Sequence, residues 1–175
     1  RPVRTVTVVK RDVGATVSYT GRIQAENEAR LGFRIPGRMI ERPINVGDHV
    51  EPGQVVAKLE PHDELNALRT AQAGVAAAQA RLNETQNIYE RQKTLLARDI
   101  ASRAQFEQAE ATRKTARAQL DTAEAQLKAA KDRVSYTELR VDAAGTVVAT
   151  GAEPGEVVQA GQMIVRVARK DGRDA

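Results

Sequence analysis

The sequence predicts an α+β protein: a small, flattened β-sandwich built from two similar half-motifs and interrupted by a long antiparallel α-helical hairpin. Three observations predict it. A valine-rich pattern punctuated by glycines occurs twice, with Gly37 and Gly145 in corresponding places 108 positions apart. Between the two copies, apolar residues recur every seven positions along two stretches that contain no proline. Aromatic residues make up only 3% of the 175 residues, with no Trp, too few rings for one large globular core.

The repeat comes first, because it defines the β part. At the same offset Gly47 matches Gly155, Val50 matches Val158, Gly53 matches Gly161 and Gln54 matches Gln162. Softer matches keep the register without a gap: Ile40 with Val148, Asp48 with Glu156, Val56 with Ile164 and Leu59 with Val167. In each copy a Gly opens a short strand. A Gly followed by an acid then makes a turn, since Gly accepts positive φ and a carboxylate can bond nearby backbone. A second Gly turns the chain into the strand Val55–Leu59 or Met163–Val167. One copy is too small to bury its own apolar face, so two copies facing each other are expected to close a sandwich.

The insertion is read from its periodicity. Leu68, Val75, Leu82, Tyr89 and Leu96 form one heptad row, with Ala71, Ala78, Thr85 and Gln92 on the complementary seam position. Phe106, Leu120, Leu127 and Val134 form the row of the second helix, interrupted by Arg113, beside an alanine row of Ala109, Ala116, Ala123 and Ala130. Small residues on one seam position let large ones from the facing helix fill the gap. The six-residue link from Ala97 to Ser102 is short enough to demand an antiparallel pair. Ser102 followed by Gln105 has the spacing of a capping box, so the second helix is expected to start there. About 32 residues at 1.5 Å rise make a rod roughly 50 Å long.

Composition excludes several classes of function. Lys and Arg number 27 against 23 Asp and Glu, and the two signs are interspersed. No basic run with interleaved aromatics marks a nucleic-acid surface. There is no cysteine, hence no disulfide, thiolate metal site or Cys nucleophile. No stretch approaches the ~20 apolar residues of a membrane span. His49 and His62 fall in a turn and at the β-to-α junction, with only Asp48, Asp63 and Glu64 as obvious nearby acids, and read as surface histidines. There is no phosphate loop and no serine nucleophile elbow. Neither catalytic residues nor a cofactor nor a metal is expected.

The pattern V-G-D-x-V-x-x-G-Q-x-V, over Val46–Val56, resembles one half of a lipoyl or biotinyl carrier domain. The resemblance implies a modified Lys at the hairpin tip between the halves. Here that stretch reads Glu60-Pro61-His62-Asp63, with Asp63 where the acceptor would stand and Lys58 inside the strand pattern. The halves are also separated by about 75 residues rather than a tight turn. Both departures argue against covalent attachment, and a carrier subunit remains the alternative of another class.

A carrier-like sandwich split by a long helical hairpin resembles the HlyD-like periplasmic adaptor, or membrane fusion protein, family, best from about Ala29 to Arg169 and most like the adaptor subunits of RND-type tripartite efflux pumps. A tip motif sharpens the resemblance. Adaptors that dock on TolC-like outer-membrane channels carry an Arg, a Leu four residues later and a Ser seven after that, which are Arg91, Leu95 and Ser102 here, with Tyr89 two before the Arg. Singly, each has an ordinary role, as a solvated helix residue, an end-of-seam leucine and a cap. Their joint spacing at this tip selects docking.

The resemblance implies a non-enzymatic part that links an inner-membrane transporter to the outer-membrane channel in the periplasm of a Gram-negative bacterium, in a ring of six copies and with no nucleic-acid partner. An RND pump is the first choice, and an ABC-type exporter or type I secretion system the alternative. The implied organisation is leader strands of a barrel or membrane-proximal region over 1–29, half-motif one over 30–62, the hairpin over 63–134, half-motif two over 135–169 and the start of a missing barrel over 170–175. The β-branched run Val3–Val9 reads as a strand and Val13–Ile23 as one or two more, with the membrane anchor outside the sequence.

Overall fold

The computed structural model describes residues 2–7 and 28–169. Ten elements follow in order: β1 (Glu28–Leu31), β2 (Gly37–Glu41), β3 (His49–Val50), β4 (Val55–Leu59), α1 (His62–Leu96), α2 (Arg103–Ser135), β5 (Glu138–Arg140), β6 (Gly145–Thr150), β7 (Val157–Val158) and β8 (Val165–Arg169). The strands form two four-stranded antiparallel sheets, ordered β1-β8-β6-β3 and β5-β4-β2-β7.

Adding 108 to the position of a strand in one sheet leads to its counterpart in the other: β1 to β5, β3 to β7, and β2 and β4 to β6 and β8. The halves are therefore interleaved, each contributing two strands to each sheet, rather than facing each other as separate leaves. The crossing bonds obey the same pseudo-twofold. Gly47 N–H donates to Val147 O at 2.8 Å, and Gly155 N–H to Met39 O at 2.7 Å. Val147 N–H donates to Asp48 O and Met39 N–H to Glu156 O, both at 2.9 Å. Gly47 and Gly155 share a φ of 99°, a left-handed conformation that costs any other residue of the common set about 1–2 kcal/mol.

The core is duplicated as well. Phe33 with Val141, Met39 with Val147, Ile44 with Ala152, Val50 with Val158, Val56 with Ile164, Ala57 with Val165 and Leu59 with Val167 are seven pairs at the one offset, all buried in a single cluster. Leu139 completes it, and its mate Leu31 packs against the edge. The repeat therefore begins at β1 and β5, upstream of the glycine pattern that reveals it in the sequence. Register shifts at Met39/Glu41 and Val147/Ala149 fall at matching places. The residues inside them, Ile40 and Val148, turn outward and are 43% and 36% exposed, as a bulge that re-aims a side chain allows.

The helical hairpin stands on the sandwich. Leu59 N–H donates to Thr137 O and Glu60 N–H to Arg38 O, both at 2.8 Å. Glu64 meets Arg133 at 3.3 Å across the helix pair, and the Arg34 guanidinium lies 5.1 Å from the Tyr136 ring centroid. Asp63 and Glu64 occupy the first turn of α1, where carboxylates complement the positive end of the helix dipole. Every seam position named from the heptads is buried or half-buried, so the 3.5-residue period gives the interface residue by residue. Only Thr85, Ala109, Ala116, Leu120 and Ala130 are fully buried within the two helices, which makes the seam narrow. At the interrupted row Arg113 stacks over Tyr89, 4.6 Å from its centroid, and Tyr89 meets Phe106 at 5.3 Å.

The leader expectation also fails among the described residues. Residues 2–7 carry no strand, and Val3 is 86% exposed. A β-branched run becomes a strand only when its backbone groups find a partner, and none of the described residues pairs with it. Val8, Val9, the run Val13–Ile23 and residues 170–175 lie outside the described residues.

Candidate docking tip of the helical hairpin

At the far end of the rod, α1 closes on itself before the chain reverses. The Leu95 carbonyl accepts N–H bonds from Arg98 at 3.2 Å, Ile100 at 2.9 Å and Ala101 at 3.4 Å. Asp99, at φ 55°, is the one non-glycine residue with positive φ among the described residues. Asp is among the few side chains that tolerate this region. Ser102 then caps α2: its hydroxyl accepts from Gln105 N–H at 3.3 Å, and Ser102 N–H donates to the Gln105 side chain at 3.0 Å. The expected capping box is present in both directions.

The three tip residues meet different surroundings. Arg91 is exposed, Leu95 half-buried and Ser102 exposed. Arg91 and Leu95 are four apart on α1, so they lie on one flank of the helix, and Ser102 stands at the N-terminus of α2 beyond the turn. Leu95 is thus partly engaged at the end of the seam instead of standing free.

Two further residues escaped sequence reading. Ile88 lies one heptad before Leu95 on the same flank and is 38% exposed. Beside it a groove of about 440 Å³ opens between the helices, lined by Thr85, Ile88, Gln92, Gln105, Gln108 and Ala109, none of them charged. Ile100 stands at the apex of the turn, 68% exposed. Its signal in the sequence was slight: one large apolar residue in a polar link, belonging to neither heptad row.

Arg91, Lys93 and Arg98 have no carboxylate within ion-pair distance among the described residues, whereas Arg103 is paired with Glu107 at 3.0 Å and Lys114 with Glu110 at 3.0 Å. Among the described residues no group of three or more His, Asp or Glu could hold a metal ion, and no helix is long and apolar enough to cross a membrane. His49 and His62 are exposed. Asp63 lies inside the first turn of α1, and Lys58 lies inside β4, 3.0 Å from Glu41. Neither sits at a hairpin tip where a carrier lysine would be presented.

A β-sandwich of two interleaved halves carrying a long antiparallel hairpin is a fold shared with solved membrane fusion and periplasmic adaptor proteins. Residues 67–137 match the family model described as "RND MFP, alpha-helical hairpin domain", so the rod is similar to the hairpin of membrane fusion proteins. It is similar to the UPF0194 membrane protein YE2891 of Yersinia enterocolitica, at 40% identity over 68 residues, which are 39% of this chain and 20% of that protein. It is also similar to the macrolide export protein MacA of Yersinia pestis, at 29% identity over 113 residues, 61% of this chain and 30% of the relative. The membrane fusion protein Spr0693 of Streptococcus pneumoniae R6 shares the fold, with a TM-score of 0.66 at 23% identity, over 85% of this chain and 62% of that one. The matching segment thus spans about a fifth to a third of the length of these curated relatives.

Proposed function

We infer that this chain is the periplasmic part of an adaptor that couples an inner-membrane transporter to an outer-membrane channel of the TolC type in a tripartite efflux pump. The single observation that carries the reading is the placement of Arg91, Leu95 and Ser102 together at the pole of a rod about 50 Å from the sandwich. A long rod with a small core and an elaborated end is a spacer that reaches something. Its chemistry is recognition and not catalysis: a planar multi-donor guanidinium for carbonyls or carboxylates, an apolar side chain and a short hydroxyl.

In this reading the sandwiches and hairpins of six copies form a tube in the periplasm of a Gram-negative cell, whose tips meet the channel. The transporter contacts segments flanking the sandwich, and the membrane anchor lies there as well. An RND-type transporter is favoured by the description of the matching hairpin family. An ABC-type exporter is the second reading, favoured by the likeness to a macrolide export protein over 61% of the chain. A carrier subunit is disfavoured by the placement of Lys58 and Asp63.

The test is a triple substitution, Arg91→Asp, Leu95→Asn and Ser102→Gly, in the full-length protein in its own cells. Drug export is expected to fall to the level of a strain without the adaptor, while the protein accumulates normally and keeps its helicity. Undiminished export from a folded triple variant would remove the tip from the mechanism.

A further inference from the structure

We propose that the tip engages its partner through an apolar apex, Ile100, set within a basic collar of Arg91, Lys93 and Arg98, and that the partner presents an apolar socket rimmed by carboxylates. This rests on the docking reading above and specifies the chemistry of the surface that the tip would meet.

The apex is built by the backbone. With Asp99 left-handed, the next residue is thrown outward while its N–H returns to the Leu95 carbonyl at 2.9 Å. That bond fixes the direction in which Ile100 leaves the turn. A large apolar residue just past a left-handed helix end commonly folds back onto the last turn. Ile100 does not, and 68% of it stays exposed. An isoleucine held exposed in a fixed direction offers apolar area that a partner gains by covering.

The collar supplies the second half of the argument. Between Glu90 and Arg103 the chain carries four cations, Arg91, Lys93, Arg98 and Arg103, against two acids, Glu90 and Asp99. Glu90 accepts from Gln86 at 2.8 Å and Arg103 is paired with Glu107. The remaining three cations, all exposed and within nine residues of the apex along the chain, have no carboxylate within ion-pair distance among the described residues. Elsewhere on the rod Arg81 with Glu84, Lys114 with Glu110 and Arg117 with Asp121 are paired along the helix, while Arg69, Lys128 and Lys131, toward the sandwich, have no carboxylate within ion-pair distance among the described residues. Unpaired charges of one sign grouped at one pole are matched by opposite charge on a partner, which adds to the encounter rate and fixes orientation.

An anionic lipid surface offers opposite charge too, but the apex suits it poorly. A whole myristoyl chain gives only marginal membrane binding, and one isoleucine buries far less. Asp99 also stands at the apex itself, where a lipid surface would repel it. A protein socket can accept the Ile and leave Asp99 in water.

The experiment measures binding of the full chain to the purified TolC-type channel of the same organism, reconstituted in nanodiscs and immobilised. Wild-type binding is expected to weaken about tenfold between low and high salt, because exposed charges more than a Debye length apart are screened. Ile100→Asp and Arg98→Glu are each expected to weaken it about tenfold or more. Lys131→Glu, a charge reversal near the base of α2, leaves it unchanged. Circular dichroism of each variant checks that the hairpin is intact, and Ile100→Ser serves as a milder apex change with the same direction. If the wild type binds but the apex and collar variants bind equally well, or salt has no effect, the apex-and-collar assignment is overturned and the docking reading stands. Should the wild type fail to bind the channel, both fall. Equal binding to phosphatidylglycerol vesicles with the same dependence on Ile100 would replace the protein socket with a lipid surface and overturn the proposal.

Discussion

The sandwich and the rod solve the same problem, burying apolar surface in a chain poor in aromatics, by opposite means. The sandwich closes a cluster in which seven pairs of side chains repeat across a pseudo-twofold. The rod, with 35 and 33 residues in its two helices, buries one large apolar side chain completely, Leu120, and otherwise threonine and alanines. Stability in the sandwich is thus concentrated and shared between symmetric mates. Along the rod it is spread thinly over a seam and over exposed i,i+4 pairs worth a few tenths of a kcal/mol each. The teaching of the difference is that the tip can be altered at little cost to the fold, because almost no core lies near it. A surface devoted to recognition gains from that separation.

The comparison can be broken most severely in the sandwich. Val50 and Val158 are mates, both fully buried, and a carboxylate at either place would be charged and unpaired in an apolar core. Val50→Asp and Val158→Asp are each expected to cost about 4 kcal/mol or more and to abolish protection of the strands in hydrogen-exchange mass spectrometry. The two variants should behave alike. A folded Val158→Asp beside an unfolded Val50→Asp would show that the second half does not share the core as the offset implies.

A smaller effect is expected in the seam. Leu120→Ala removes the single large side chain that is fully buried between the helices, and should destabilise by about 2–4 kcal/mol. The loss should be local, with exchange rising along α1 and α2 and the strands keeping their protection, because the seam and the sandwich cluster share no fully buried residue. Uniform loss of protection in both parts would mean that rod and sandwich unfold as one unit.

How much of this was legible in the sequence also differs between the two regions. The rod could be read to the residue, because one heptad period sets which side chains meet, and the link from Ala97 to Ser102 left only an antiparallel pairing. The capping box at Ser102 and Gln105 was equally plain, since both its bonds span three residues. In the sandwich the turns were legible, because glycines mark them, but the interleaving of strands was not: pairing β2 with β7 and β3 with β6 is long-range and leaves no local mark. The start of the repeat was missed for a similar reason. Leu31 with Leu139 and Phe33 with Val141 are single apolar matches, and Gly32 between the first of each pair has Arg140, not a glycine, at its corresponding place. The run from Val3 misled because β-branching describes a residue that suits a sheet, not one that has a neighbouring strand. At the tip, Arg91, Leu95 and Ser102 were found by spacing, whereas Ile100 required the left-handed backbone at Asp99 to be seen, and the half-burial of Leu95 required the helix end.

The smallest change separates two roles of one side chain. Ser102 caps α2, and its hydroxyl is also offered to a partner in the docking reading. Ser102→Ala removes the cap acceptor and should lower stability by about 1 kcal/mol. Ser102→Gly keeps much of the cap advantage, since glycine is itself tolerated at this position, and should cost only a few tenths. Both delete the hydroxyl. If the hydroxyl acts in docking, the two variants weaken channel binding equally although they differ in stability. If Ser102 acts only as a cap, binding follows stability, so that Ser102→Gly binds like the wild type and Ser102→Ala more weakly. Thermal melts of the two variants, set beside their binding curves, decide between these outcomes, and they do so at a site so far from the sandwich core that neither substitution disturbs the rest of the fold.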